Sequence, residues 1–391
     1  MNADFSVIYN YNTASGETFV SPGKSNAPQF HAGIPSYEPT PLVSLPALSR
    51  ELGLAAVWVK DESKRFSLNS FKALGGSYAI AKNLCEKFAL PLGKETFALL
   101  RSEKYAPLLR GETFITATDG NHGRGVAWTA KMLGCRAIVY LPEGTAAERL
   151  ENIRALGARA EITALRYDDT VRFASSEAAK NGFTLVQDTS WPGYEDIPAT
   201  IMQGYTTLAH ETARSLGYDI PTHLFLQAGV GSMAGAIAGY FSSFWGKNAP
   251  KIVVVEPDKA DCLFKTAAAN DGKLHAVTGK MDSMMAGLCC GEPCTLGWEI
   301  LKSRAAAFVS CSDEYAARGM RLLARPLGDD AAIESGESGA VTAGVLAALM
   351  TDADKAATRE KLGLDARSRV LLISTEGATD RANYARVCGN R

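Results

Sequence analysis

Net charge, histidine, long apolar runs and paired cysteines are all scarce in this chain, and each shortage closes off a class of function. The formal charge is −1 over 391 residues, which offers no electrostatic footprint for nucleic acid or an anionic membrane. No apolar run approaches the roughly 20 residues of a membrane span. The start, Met1-Asn2-Ala3-Asp4-Phe5, has no basic segment followed by an apolar one, so no secretory signal is read and a cytoplasmic protein is expected. Only five histidines occur, at 31, 122, 210, 223 and 275, and none belongs to an H-E-x-x-H motif. The eight cysteines, at 85, 135, 262, 289, 290, 294, 311 and 388, form no C-x-x-C pair. The cluster Cys289-Cys290-Gly291-Glu292-Pro293-Cys294, with Cys262 as a fourth ligand, has the wrong spacing for zinc and no histidine nearby. Reduced thiols and no metal are therefore expected.

What is there reads as a soluble globular protein: 46% hydrophobic and 21% charged residues, with length for two or three domains and ample core. Short β-branched runs are expected as strands at Val57–Lys60, Thr113–Ala117, Ala137–Leu141, Glu161–Ala164, Thr184–Gln187, His223–Gln227, Ile252–Val255 and Val370–Ser374. Alanine-rich segments with helical spacing separate them, such as His122–Leu133, Ala147–Leu156 and Ala234–Phe244. This alternation predicts an α/β fold around mostly parallel sheets. Leu90–Glu112 has weak periodicity and reads as an insertion, and the first ~35 residues read as an extended arm. No repeat or linker divides the chain.

Lys72 stands in Ser70-Phe71-Lys72-Ala73-Leu74-Gly75-Gly76, just inside an expected helix start. The helix N-terminus repels cations, so a lowered pKa is expected there, favouring the free amine that forms a Schiff base. The plainer reading is an exposed lysine beside a turn. In open parallel sheets ligands bind beyond the carboxyl ends of strands, and three segments fall at such ends: Thr118-Asp119-Gly120-Asn121-His122-Gly123, Asp188-Thr189-Ser190-Trp191 and Gly229-Val230-Gly231-Ser232-Met233. The last opens a helix, where glycines let backbone N–H groups face an anion. It has no Walker A lysine, and Ala234 stands at the third glycine position of G-x-G-x-x-G. A single phosphate monoester fits it better than a dinucleotide. Asp119 and Asp188 each have a plainer reading, as a cap of the helix or turn that follows.

Lys72, the asparagine loop and the glycine loop, in this order, resemble the fold type II (tryptophan-synthase-β-like) pyridoxal-phosphate (PLP) enzymes. The Thr118-Asp119-Gly120-Asn121-His122 form, with Lys60–Phe66, Val186–Thr189, Ile201–Tyr205, Val255–Cys262, Gly336–Ala340 and Ser374–Gly377, is similar to the diaminopropionate ammonia-lyase family. The resemblance implies two open, mostly parallel sheets flanked by helices. The active site would lie between a large domain (1–75 and 190–391) and a small one (76–189). It implies a homodimer that binds PLP and converts 2,3-diaminopropionate and water to pyruvate and two ammonia in amino-acid catabolism.

By the same resemblance Lys72, beside Phe71, carries the cofactor, and Asn121 bonds its phenolic oxygen. Gly229, Val230, Gly231, Ser232 and Met233 hold the phosphate. Ser374 or Thr375 meets the pyridine nitrogen, with nothing in the sequence to choose between them. Ser70, Thr118, Asp119, Gly120 and His122 receive the substrate. Loss of the β-amine needs a proton donor near Cβ, for which Asp119 and Asp188 are candidates. Lys72 is the base for the L-isomer, and Asp119 serves the D-isomer or anchors a second ammonium. Cys262 and Cys290 lie in shared segments, which admits a disulfide, but free thiols are the expectation. Two rivals share parts of the pattern. A serine or threonine dehydratase needs no Asp119, and a non-catalytic nucleotide- or ligand-binding α/β protein needs no Lys72.

Overall fold

The computed structural model describes residues 4–11, 13–14 and 16–389; the parts of the expected arm at 1–3, 12 and 15 lie outside them. Eleven strands are described: β1 Phe5–Tyr9, β2 Leu42–Ser44, β3 Ala56–Asp61, β4 Thr113–Ala117, β5 Arg136–Leu141, β6 Arg159–Ile162, β7 Thr184–Leu185, β8 His223–Gln227, β9 Lys251–Pro257, β10 Ala305–Cys311 and β11 Arg369–Ser374. Seven form one sheet in the order β1-β10-β9-β8-β11-β3-β2, and four form another in the order β6-β5-β4-β7. Every pairing is parallel except at the edges, where β1 lies antiparallel to β10 and β2 to β3. Helices cover both sheets, which is why the central strands β4 and β8 are buried along their whole length and show no apolar–polar alternation.

The differences from expectation have local causes. β6 begins two residues early, at Arg159, because its exposed polar residues give no hydrophobic signal. β7 ends at Leu185 rather than Gln187: the Gln187 N–H is taken by the Tyr194 hydroxyl at 2.9 Å, which turns the chain out of the ladder. β10 was not expected, since Ala305-Ala306-Ala307 carries no strand preference. The expected arm instead contributes β1 and a short helix, Ala27–His31, whose Phe30 and His31 are buried. Leu90–Glu112 is no loose insertion: it holds the helices Thr96–Leu100 and Ala106–Leu109 and buries Phe97, Leu100 and Leu109 in the core.

The helix Lys72–Phe88 packs between the helices Asn121–Leu133 and Asp196–Leu216. Close approach explains two glycines here. A Cβ on Gly204 would come within 2.6 Å of the Leu74 carbonyl oxygen, and one on Gly125 within 2.9 Å of the Ala73 Cα. The turn before this helix holds Phe66, Ser67 and Asn69 at positive φ, a cost of order 1 kcal/mol each. Both of its flanks are fixed. Arg65, fully buried, pairs with Glu62 and Glu211 at 2.8 Å, and Glu211 also holds buried Lys60 at 2.6 Å. On the other flank the Gly377 N–H donates to the Asn69 carbonyl at 3.0 Å.

Candidate active site

Lys72 is presented by backbone contacts between two distant segments. Ser70 bridges to Glu376, and the Phe71 N–H donates to the Thr375 carbonyl at 3.2 Å. The Lys72 side chain enters a cavity lined by Ser70, Phe71, Asp119, Asn121, Asp188, the whole of Gly229–Met233, and Thr375. Its Nζ makes a short ion pair with the Asp188 carboxylate. Burial alone pushes the Lys72 ammonium down, but Asp188, with Tyr205 and Asp119, outweighs it and holds the pKa above the ordinary lysine range. The expected lowering is thus reversed: the helix-start argument is outweighed by a carboxylate far away in sequence.

Burial also opposes the Asp188 charge, yet neighbouring His122 and Lys72 and the hydrogen bond from Lys72 bring its pKa down to about 2. Of these, Lys72 supplies the positive charge. His122 is buried and its pKa is lowered, chiefly by desolvation. Its Nε2–H donates to the Val186 carbonyl at 2.7 Å, and Nδ1 stands 3.9 Å from Asp188 with no hydrogen-bond partner. Asp188 is therefore ionised and His122 neutral. Asp188 caps no turn with its carboxylate; Gln187 donates to it at 3.3 Å, and the Ser232 hydroxyl donates to its carbonyl at 2.6 Å.

Three residues expected to touch substrate stand behind the cavity wall. The Thr118 hydroxyl accepts the N–H groups of Gly120 at 2.9 Å and Gly123 at 3.0 Å, so it holds the loop together. Gly120 lies under the Arg149 side chain, and His122 faces Val186. Asp119 does face the cavity and is no cap: the helix Asn121–Leu133 has Gly120 at its N-cap and no side-chain cap bond. Of the two hydroxyls left open by the sequence, Thr375 lines the cavity and accepts from Gln227 Nε2 at 3.0 Å, whereas Ser374 donates to Ser335 at 2.7 Å behind it. Gln227, Ser338 and Glu376, not expected at the site, also reach the cavity. Asn121 Nδ2 donates to buried Glu376 at 2.5 Å, and Glu376 also accepts the Ser338 N–H at 3.2 Å. Gln227, Ser338 and Glu376 each lie in segments quoted above, which was the only available signal for them.

The residues fit a phosphorylated cofactor. Among the described residues, no protein acceptor pairs with the N–H groups of Gly229–Met233. These lie at the start of the helix Ser232–Trp245, whose N-cap, Gly231, sits at φ 97° without a side-chain cap. Gln227 Oε1 and Ser338 Oγ are buried on the same cavity without partners. Unsatisfied buried polar groups of this kind are costly unless something binds them. Gly231→Leu is expected to lower PLP affinity and stability together. The strained φ costs on the order of 1–3 kcal/mol, and a Cβ here would come within 3.0 Å of Leu263 Cδ1 and 3.3 Å of Leu301 Cδ1, so the larger side chain meets buried leucines and displaces the backbone that faces the anion. Full PLP occupancy of the variant at dilute cofactor would contradict the assignment.

The loop carrying Gly287, Leu288 and Cys290 closes one wall. It is tied to the helix Tyr167–Asn181 by the Arg172–Glu292 ion pair at 2.9 Å and by the Gly291 N–H donating to Asp168. Burial, with Glu292 nearby, raises the Asp168 pKa to about 6. A folded-state value above the unfolded one means that this contribution is fully present below pH ~4 and is lost as pH rises through about 6. Asp168→Asn should therefore raise Tm more well above pH 6 than well below it; an equal shift on both sides would contradict the assignment. All eight cysteines are free thiols, including Cys262 and Cys290, and among the described residues no group of side chains is placed to hold a metal.

Known proteins are similar to this chain in sequence and fold. The family model for pyridoxal-phosphate dependent enzymes matches residues 34–376. A diaminopropionate ammonia-lyase of Salmonella typhimurium is 48% identical over 365 residues, covering 92% of this chain and 90% of that one. The crystal structure of the Escherichia coli diaminopropionate ammonia-lyase with an aminoacrylate–PLP azomethine reaction intermediate superposes with a TM-score of 0.90 at 45% identity, over 98% of this chain and 96% of that one. A threonine dehydratase of Solanum lycopersicum is 31% identical over 230 residues, only 58% of this chain and 32% of that protein. The chain belongs to the pyridoxal-phosphate dependent enzymes, and within them to the diaminopropionate ammonia-lyase family.

Proposed function

We propose that this chain is a carbon–nitrogen lyase that converts 2,3-diaminopropionate and water to pyruvate and two ammonia. The observation that carries the reading is one cavity holding the Lys72–Asp188 pair, the Asp119 carboxylate and the N–H cradle of Gly229–Met233. Bound there through Lys72, PLP would act as an electron sink for negative charge at the substrate Cα. The cradle holds its phosphate, and Asn121, oriented by Glu376, is the donor for its phenolic oxygen. Thr375 supplies a neutral hydroxyl for the pyridine nitrogen, and Ser70 and Asp119 face the substrate.

Lys72 is the base that takes the Cα proton of the L-isomer. Asp188 then holds that proton on Nζ, since its carboxylate keeps the lysine in the ammonium form. The β-amine is a poor leaving group until protonated, and the Lys72 ammonium is the acid poised to supply the proton. This replaces Asp188 as the direct donor, because a carboxyl with a pKa of about 2 carries no proton near neutrality. Asp119 takes the Cα proton of the D-isomer from the opposite side. The large domain is taken as 1–75 with 190–391 and the small one as 76–189. A cytoplasmic homodimer is part of the proposal. Among the described residues no helix is long and apolar enough to cross a membrane.

The experiment compares kcat/KM for diaminopropionate, serine and threonine. Diaminopropionate should lead by roughly 10²-fold or more, since it alone of the three brings a second amino group into a cavity that carries the Asp119 and Asp188 carboxylates. A preference for serine or threonine would replace this reading with the dehydratase one.

A further inference from the structure

Among the described residues, one side chain, that of Arg149, hydrogen-bonds Asp119. Arg149, in the first turn of the helix Ala147–Arg154, points Nη1 at the Asp119 carbonyl oxygen, 3.1 Å away, and at Oδ2 of its carboxylate, 3.4 Å away. One nitrogen thus reaches both the backbone and the side chain of the same residue, which restricts the rotation of the carboxyl group. The Arg149 side chain is only 8% exposed. Burial opposes its charge, but the carboxylates of Asp119, Glu376, Glu337 and Asp380 more than offset that. Its stem crosses the loop at Gly120, where φ is 148° and a Cβ would come within 3.1 Å of Arg149 Cδ. The guanidinium does not line the cavity that contains Lys72; it lines the neighbouring one, with Asp119 at the boundary of both. It therefore holds Asp119 without lining the cavity that contains Lys72.

We infer that Arg149 is the positioning residue that aims the Asp119 carboxylate at the substrate, so that D-isomer turnover depends on it and L-isomer turnover does not. The inference rests on the reading of Asp119 as the D-isomer base. It differs from the other role open to a buried arginine beside an active site, which is to bind the substrate carboxylate. That role would serve both isomers and would show in KM.

The test is a double-mutant cycle on the PLP-loaded enzyme with Arg149→Ala, Asp119→Asn and the pair, measuring kcat and KM for both isomers. Arg149→Ala is expected to lower kcat for the D-isomer by roughly 10-fold or more, since misplacement of a base by an ångström costs up to about 10²-fold. KM should change little, and L-isomer turnover should stay within about 3-fold. Added guanidinium ion should restore D-isomer turnover selectively. In the Asp119→Asn background Arg149→Ala should cost the D-isomer nothing further. A raised KM for both isomers, an equal loss of kcat on both, or a further loss in that background overturns the inference. If Asp119→Asn alone leaves D-isomer turnover intact, the reading of Asp119 fails and takes the inference with it. If Asp119→Asn is impaired on the D-isomer while Arg149→Ala is not, the inference fails and the reading survives. Should Arg149→Ala not fold, Arg149→Lys decides: it keeps the charge but not the double hold, so it should show a partial, D-selective loss, and an isomer-independent loss overturns the inference.

Discussion

Lys72→Ala is expected to abolish turnover of both isomers, by at least roughly 10³-fold, because it removes the cofactor's covalent anchor and a general base together. Alanine also leaves Asp188 ionised in a buried site. Removing one partner of such a pair costs about 3–5 kcal/mol, so lost activity alone would be ambiguous. Lys72→Arg separates the causes: arginine preserves the charge opposite Asp188 and cannot form the covalent link. It should keep the fold and a Tm close to the parent, and still lose turnover. Borohydride reduction of the parent followed by peptide mapping should place the label on Lys72. A label on any other lysine, or an active Lys72→Arg enzyme, would contradict the assignment.

Asp119→Asn carries the second large effect. Asparagine keeps the shape of the residue and removes the base. If Asp119 takes the Cα proton of the D-isomer, D-isomer turnover should fall by roughly 10²–10⁴-fold while L-isomer turnover falls much less. If it instead anchors the β-ammonium, apparent affinity for both isomers should weaken together. A capping role no longer competes, since Gly120 is the N-cap and the Thr118 hydroxyl, not Asp119, bonds the loop N–H groups. Unchanged D-isomer turnover would refute the catalytic reading.

The parts of the fold that could be read from sequence are those whose signal is local. β4 and β8 occur at the expected residues because each carries a short apolar centre, Phe114-Ile115 and Leu224-Phe225-Leu226, between turn residues. The edge strands of the larger sheet escaped for opposite reasons: β2 is three residues long, and β1 owes its existence to pairing with β10, some 300 residues away. The site divides in the same way. Lys72, Asn121 and Gly229–Met233 are legible because each stands in a strand-to-helix or turn-to-helix junction with its own pattern. Glu376 reaches Asn121 across 255 positions, and Asp188 reaches Lys72 across 116. No local pattern contains such meetings, and the second of them inverts the charge state that the helix start alone implies. The choice of Thr375 over Ser374 at the cavity follows from the two side chains leaving the strand end in different directions, one toward Gln227 and one toward Ser335.

The most direct test of the central claim is the ratio of ammonia to pyruvate released from 2,3-diaminopropionate by the purified, PLP-loaded enzyme. Elimination of the β-amine followed by hydrolysis of the α-imine yields two ammonia for each pyruvate, and that ratio should hold for whichever isomer is consumed. Pyruvate formed from serine, with no ammonia or pyruvate from diaminopropionate, would contradict the account.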